Sequence, residues 1–302
     1  MTVAPNNSIR RQQLDKLFAV LGLLATCVGM LTLGALILQL VMDGGIRLTA
    51  TFFTSFPSRF PKQAGILSAW VGTCLIMFVT ALAAVPMGVA AGVYLEEYAP
   101  KNWLTGLIEI NIANLAGVPS IVYGLMALGL FVYQLKLGQS VLSAGLTLAL
   151  LILPIVIVAT REAIRAVPAG MREAALALGA TKWQTTRDHV LPYSMGGILT
   201  GIIIALSRAI GETAPLITIG ALTFIAFLPD APIKAGFPFI SFDWLMSPFT
   251  VMPIQMFNWV SRPQQEFHLN AAATGLVLMV MTLAMNGIAI YLRYRFRKRI
   301  KW

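Results

Sequence analysis

VLSAGLTLALLILPIVIVAT, residues 141–160, holds no charged side chain in twenty positions. An α-helix needs about 20 apolar residues, rising 1.5 Å each, to cross a hydrocarbon core. Four more runs meet that measure: 18–42, 66–94 with Pro86 late in it, 112–133 and 271–292. A sixth, 193–228, is too long for one crossing and carries Arg208, Glu212 and Pro215. It either crosses once and continues beyond Pro215, or crosses twice. The composition agrees with membrane-spanning runs. Of 302 residues, 58% are apolar and 11% charged, against about 25% charged in a soluble domain. A surface so poor in charge calls for lipid as its main solvent.

The net charge of +10 raises the question of nucleic acid. A nucleic-acid binder gathers its basic residues on a soluble face, whereas here they stand beside the apolar runs. With six crossings, both termini share one side. That side holds three Lys/Arg before the first run, Lys101, five in 161–192 (Arg161, Arg165, Arg172, Lys182, Arg187) and six in the tail, fifteen in all. The other side holds six: Arg47, Arg59, Lys62, Lys136, Lys234 and Arg262. The positive-inside rule places the fifteen in the cytoplasm. Seven crossings would put the basic tail outside, against the same rule. The first apolar run exceeds the roughly 7–15 residues of a signal-peptide core, so a retained span is expected there.

Cys27 and Cys74 fall within apolar runs and read as buried thiols without a disulfide or metal framework. The two histidines, His189 and His268, lie on opposite sides in this topology and cannot share a metal. The stretch 229–269 is external, with an irregular Pro-rich start (Pro229, Pro232, Pro238). Its Trp244, Phe249, Phe257 and Trp259 suit an interfacial segment.

Four stretches carry polar chemistry. The first is Glu173-Ala174-Ala175-Leu176-Ala177-Leu178-Gly179 in the basic loop, followed by Leu191-Pro192. It reads as two short helices with a Gly turn between them. Small alanines let a helix lie close to a partner, and Gly permits a sharp turn at its end. Pro192 starts the next span, where a missing N–H costs little. The second is Arg208-Ala209-Ile210-Gly211-Glu212-Thr213-Ala214-Pro215. An intramembrane Arg costs roughly 2.5–3.5 kcal/mol on insertion scales and must face protein or water. Arg208 and Glu212, four apart, share a helix face. They form either a structural ion pair or an anion site in which Arg offers a planar fork of donors. A carboxylate repels a bare dianion but accepts a hydrogen bond from the P–OH of protonated phosphate. The third is 114–125, where Gly117 and Pro119 loosen the helix and Asn114, Ser120 and Tyr123 are candidates to line a polar path. The fourth, weaker, is Pro253-Ile254-Gln255-Met256-Phe257-Asn258-Trp259.

The first stretch resembles the EAA loop of ABC importer permeases, a pattern that ends in Ile-x-Leu-Pro. Glu173, Ala174, Ala175, Gly179, Leu191 and Pro192 match it, and His189 stands where the pattern has Ile. With 117–125, 208–215 and 253–259 following the same order, the chain from about residue 65 onward is similar to the PstA permease family of phosphate-specific ABC importers. The resemblance implies an all-α, polytopic bundle of six transmembrane helices with a cytoplasmic coupling loop, the type I, MetI-like permease fold. It implies an N-terminal part, 1–65, holding the tail, first span and external loop. A transporter domain, 66–302, follows, with its EAA loop at 161–192, external loop at 229–269 and basic tail at 293–302. The implied function is translocation of inorganic phosphate across the bacterial plasma (inner) membrane, with both termini cytoplasmic and no cofactor. The implied partners are a second, PstC-like permease, two PstB-like ATPase subunits and an external PstS-like phosphate-binding protein. The substrate pathway would use Arg208, Glu212, Thr213, Asn114, Ser120 and Tyr123. ATPase coupling would use Glu173, Ala174, Ala175, Gly179, Leu191 and Pro192.

Three other readings compete: a permease for another oxyanion, a membrane enzyme acting on phosphorylated lipids, and a non-transporting sensor or scaffold. No G-x-x-x-x-G-K-[ST] loop and no G-x-S-x-G elbow occurs, so neither ATP binding by a P-loop nor that hydrolase chemistry is expected of this chain. It reads as a non-catalytic subunit whose ATP is hydrolysed by another chain.

Overall fold

Lipid exposes no water to an unpaired N–H or C=O, so a spanning chain must satisfy its backbone internally. A computed structural model describes residues 6–231 and 241–299. Within them the apolar runs are helical. In chain order these are α1 (Asn6–Gly44), α2 (Ala50–Thr54), α3 (Leu67–Val93), α4 (Trp103–Leu115), α5 (Ser120–Ala127) and α6 (Val141–Arg165), then α7 (Ala169–Ala177), α8 (Lys182–Thr185), α9 (Leu191–Gly211), α10 (Ala214–Thr218), α11 (Met252–Val260) and α12 (Gln265–Arg299). π-helical turns extend α3 through Tyr94–Tyr98, α5 through Leu128–Gln134 and α8 through Thr186–Val190. Pro232, Lys234 and Pro238 of the Pro-rich stretch, and Lys301, lie outside the described residues, as do the side chains of Arg10, Arg297, Lys298 and Arg299.

The opening run of the sequence is the centre of the bundle. α6 starts where Ser140 caps it by accepting from the Ser143 N–H at 3.3 Å. Its Val141, Ala144, Leu148, Ile152 and Val156 are buried at helical spacing against α3, α5 and α9. Lipid is as apolar as leucine, so close packing has to supply most of the association between helices. Small residues make it possible. A Cβ on Gly88 of α3 would sit 2.6 Å from Val156, one on Gly92 would sit 2.7 Å from Thr160, and one on Gly197 of α9 would sit 2.7 Å from the Ala163 methyl. Thr80 of α3 reaches the Gly145 carbonyl of α6 at 3.2 Å and its own Ile76 carbonyl at 2.8 Å. α1 differs from α6 in every respect: it is exposed along nearly all its described length and docks mainly on α12.

Five helices are long and apolar enough to cross a membrane, and a sixth span results when the bent pair α4 and α5 is counted as one broken crossing. That pair corrects the expectation of one helix over 112–133. α4 ends at Leu115, α5 starts at Ser120, and the chain turns by 105° between them. Pro119 lacks the N–H that would continue the ladder, so composition alone makes the run look continuous. The long run 193–228 crosses once: α9 stops at Gly211, the short α10 follows, and no α-helix occupies the described residues between Thr218 and Met252.

Two other expectations change. Cys27 and Cys74 are exposed on the surface of the chain and not buried in its core. Trp244, Phe249 and Trp259 are buried, and only Phe257 of that aromatic set faces outward. Trp259 packs on Phe52 and Phe267 with ring centroids 6.1 and 6.4 Å away. The buried Gln255 amide donates to the Thr223 carbonyl at 3.2 Å and accepts from the Trp259 indole N–H at 3.1 Å. Segment 253–259 is therefore part of the core.

Candidate functional site

The polar stretch at the end of α9 places Arg208 in that helix's last turn, not in its middle. Seventeen residues from Leu191, it lies about 26 Å along the axis. α9 ends because Glu212 leaves helical geometry, with φ −79° and ψ 123°. A cation in the last turn is favoured by the carbonyl end of the helix dipole. The Arg208 Nε donates to Glu212 Oε1 at 3.2 Å. The Arg208 side chain is 40% exposed and that of Glu212 19%. Among the described residues this is the one ion pair and hydrogen bond that Arg208 makes, which leaves four of the five donors of its guanidinium without a partner in them.

After Glu212, Thr213 accepts through its carbonyl from the Leu216 and Ile217 N–H groups and starts α10. α10 packs on α5, where Gly124 leaves room for the Pro215 backbone and the Thr218 hydroxyl. That contact carries Tyr123 close enough to Arg208 for the two to interact electrostatically. The Tyr123 hydroxyl donates to the Leu115 carbonyl at 2.8 Å, which ties α5 back across the break to the end of α4. Arg208 and Glu212 at the end of α9 are thus linked through Thr213 to α10, and α10 packs on α5, the helix that carries Tyr123. Asn114 is exposed on α4 and Ser120 starts α5. Among the described residues, neither side chain bonds to Arg208 or Glu212.

The second region is the loop between α6 and α9. Glu173 and Ala174 are exposed on α7, and Ala175 is buried. Gly179 adopts φ +87°. Its N–H bonds the Leu176 carbonyl at 3.0 Å, and the Ala180 N–H bonds the Ala175 carbonyl at 3.1 Å, the paired bonds of a Schellman stop. A Cβ at Gly179 meets nothing within 4 Å, so glycine is needed here for its backbone angle and not for space. Thr181 and Gln184 form a capping box that starts α8. Leu191 opens α9, and Pro192 occupies its first turn. Leu176, Leu178 and Trp183 stand exposed on this loop, Leu178 by 90%. His189 is exposed in the π-helical turn before α9.

Sequence reasoning missed a third set. Arg161 pairs with Glu109 at 2.5 Å and Glu96 at 3.5 Å. Arg165 reaches Glu96 at 3.0 Å, and Arg172 reaches Glu97 at 2.7 Å. In the sequence alone these arginines serve only to orient the chain. The available signal was Glu96-Glu97 placed at the end of an apolar run, where two adjacent carboxylates require cations. Another missed tie is Ser207, beside Arg208, whose hydroxyl donates to Asn286 of α12 at 2.6 Å.

Residues 84–302 match the family described as binding-protein-dependent transport system inner membrane component. The probable ABC transporter permease protein YqgI of Bacillus subtilis is 34% identical over 216 residues, 71% of this chain and 73% of that protein. The phosphate transport system permease protein PstA of Xylella fastidiosa is 30% identical over 287 residues, 95% of both chains. Its counterpart in Yersinia pestis is 31% identical over 284 residues, covering 92% and 90%. Among solved structures, a chain of the inward-facing MetNI methionine ABC transporter superposes with a TM-score of 0.57 at 15% identity, covering 74% of this chain and 93% of that one.

Proposed function

Because the chain belongs to the family of binding-protein-dependent transport system inner membrane components, we propose that it is a channel-forming subunit of an ATP-driven importer carrying inorganic phosphate across the bacterial plasma membrane. As a multi-pass ABC permease it works with an ATPase and a binding protein. We assign those roles to PstB-like and PstS-like chains, with a PstC-like permease alongside. Both termini and the 161–192 loop face the cytoplasm in this reading. Residues 66–302 form its transporter domain and 1–65 a peripheral N-terminal part.

The observation that carries the reading is Arg208, partly exposed on an otherwise apolar span with one protein partner. Such a group must face another chain or a water-filled path. A second permease packed against α5 and α10, where Val122, Leu125 and Ile217 are exposed, would close that path around Arg208. The guanidinium fork then binds the oxyanion, and Glu212 accepts from the P–OH of the monoprotonated or diprotonated form. At the opposite end of α9, the exposed Leu176, Leu178 and Trp183 supply an apolar face for the ATPase. The relatives named as PstA phosphate permeases, similar over nearly the whole chain, support phosphate as the substrate.

Radiolabelled phosphate uptake into vesicles holding the four-component complex tests the assignment. Arsenate is expected to compete, and sulfate and phosphonate to compete weakly. Sulfate competing as well as arsenate would reassign the permease to another oxyanion.

A further inference from the structure

Arg172 projects from α7 and makes four hydrogen bonds to two other elements. Its Nε and Nη2 donate to Glu97 Oε1 at 2.9 and 2.7 Å. Its Nη1 donates to the Val167 carbonyl at 2.8 Å, and Nη2 to the Ile164 carbonyl at 2.9 Å. Ile164 lies in the last turn of α6, Val167 in the link that follows it, and Glu97 on the π-helical turn that ends α3. The Arg172 side chain is 24% exposed and that of Glu97 9%. One residue earlier, Glu96 faces Arg161 and Arg165 of α6, so adjacent carboxylates on this turn address different elements. π-helical turns cluster at functional sites because the extra residue re-aims side chains.

From this arrangement we propose that Arg172 and Glu97 are positioning residues that clamp α7 to the ends of α3 and α6. A displacement of α7 is then passed into the central helix pair and not absorbed by the loop. By covalent connection alone α7 is joined to α6 through 166–168 and to α9 through the turn at Gly179. Both joints bend at backbone dihedrals. A guanidinium with fixed donor directions is stiff by comparison. It also caps the carbonyl end of α6, where a cation is favoured. Packed side chains and rigid elements of this kind can carry coupling between distant sites. The proposal rests on reading α7 as the helix that meets the ATPase.

Glu97→Gln separates the two roles of Arg172, because it takes the charge out of the tie to α3, leaving at most the weaker neutral hydrogen bond, and leaves the α6 carbonyls capped. In the reconstituted complex, the ratio of ATP turnover with and without phosphate-loaded binding protein is expected to fall about tenfold per assembled complex, a typical allosteric coupling. Glu97→Asp, which keeps the carboxylate, is expected to retain most of that ratio. In the same chain, with Cys27 and Cys74 replaced by Ala, spin labels at Ala177 and Lys101 report the distance from α7 to the turn beyond α3. That distribution is expected to be narrow in the parent and broad in Glu97→Gln. A wild-type ratio per complex together with a narrow distribution in Glu97→Gln would overturn the clamp, as would a loss of turnover that only tracks the amount of complex. A parent complex that takes up no phosphate counts against the substrate assignment alone, because the distance measurement still decides the clamp.

Discussion

Arg208–Glu212 and Arg172–Glu97 are the same chemical pair used in two ways. The first lies on one helix, four residues apart, through a single 3.2 Å bond. The second joins residues 75 apart, and Arg172 makes four bonds to three residues. Its carboxylate is nearly buried, whereas Arg208 is 40% exposed. An arginine whose donors are committed to protein acts as a joint. One that keeps most of them uncommitted has capacity for a ligand. The difference lies in the unused donors, and counting salt bridges would miss it.

The strongest way to break this comparison is Arg208→Gln. If the uncommitted donors serve a passing anion, uptake should fall roughly 100-fold or more, as when an aligned electrostatic donor is removed from a reacting site. The complex should still assemble, and the label distance from Ala177 to Lys101 should not change. Arg208→Lys should recover only part, because it keeps the charge and loses the fork. A purely structural pair predicts otherwise. Arg208→Gln would strand Glu212, and the double change with Glu212→Gln would restore both assembly and transport. Uptake near wild type in an assembled double variant would sink the role of Arg208 and the acceptor role of Glu212 together.

The comparison also requires that the two pairs lie toward opposite faces of the membrane. In a chain with Cys27 and Cys74 replaced, single cysteines at Gly170 and Phe242, both exposed, should react with an impermeant thiol reagent from opposite sides of a sealed vesicle. Reaction from the same side would refute the six-span orientation.

A smaller effect is expected at Gly179. Open space surrounds its Cα, so side-chain size matters little there. Its φ of +87° costs any L-residue about 1–2 kcal/mol. Gly179→Ala and Gly179→Trp should therefore fray the end of α7 to similar extents and lower ATP-coupled uptake severalfold. A loss at Trp with wild-type uptake at Ala would mean that bulk against the ATPase, and not the Schellman stop, sets the requirement.

What the sequence made legible was local. Residues 141–160 declare a span because twenty uncharged positions in a row admit few other readings. The EAA-like segment and the Arg208–Glu212 pair were readable because their partners lie within one helix turn or one short loop. The run 112–133 misled because hydropathy adds composition and does not register that Gly117 and Pro119 break the ladder. Cys27, Cys74 and the aromatics near α11 misled for a different reason. Lipid and protein core are equally apolar, so an apolar run gives depth in the membrane without telling which face is buried. Glu96-Glu97 at the end of an apolar run signals a need for cations, but their partners and that of Glu109 could not be read because those arginines stand 52 to 75 positions away in the chain, and only the packing of α3, α4, α6 and α7 brings them together.

His189 provides the smallest and most discriminating test of the difference between a joint, a ligand site and a partner surface. It stands where EAA loops carry Ile, in the turn Thr186–Val190 whose Thr186 and Val190 are buried while His189 points outward. Its ring makes no hydrogen bond or ion pair among the described residues, so the intramolecular effect of changing it should stay within about 0.5 kcal/mol, as for other exposed positions. His189→Ile should therefore leave assembly, phosphate uptake and the Ala177–Lys101 distance at wild-type values. A rise in the affinity of the ATPase for the permease, read by titrating the ATPase into detergent-solubilised complex, would instead show that this position lies in the docking face and that Ile fits it better. A drop in uptake with unchanged ATPase affinity would place His189 on the transmission path beside Arg172, and would extend the joint from the end of α3 to the start of α9.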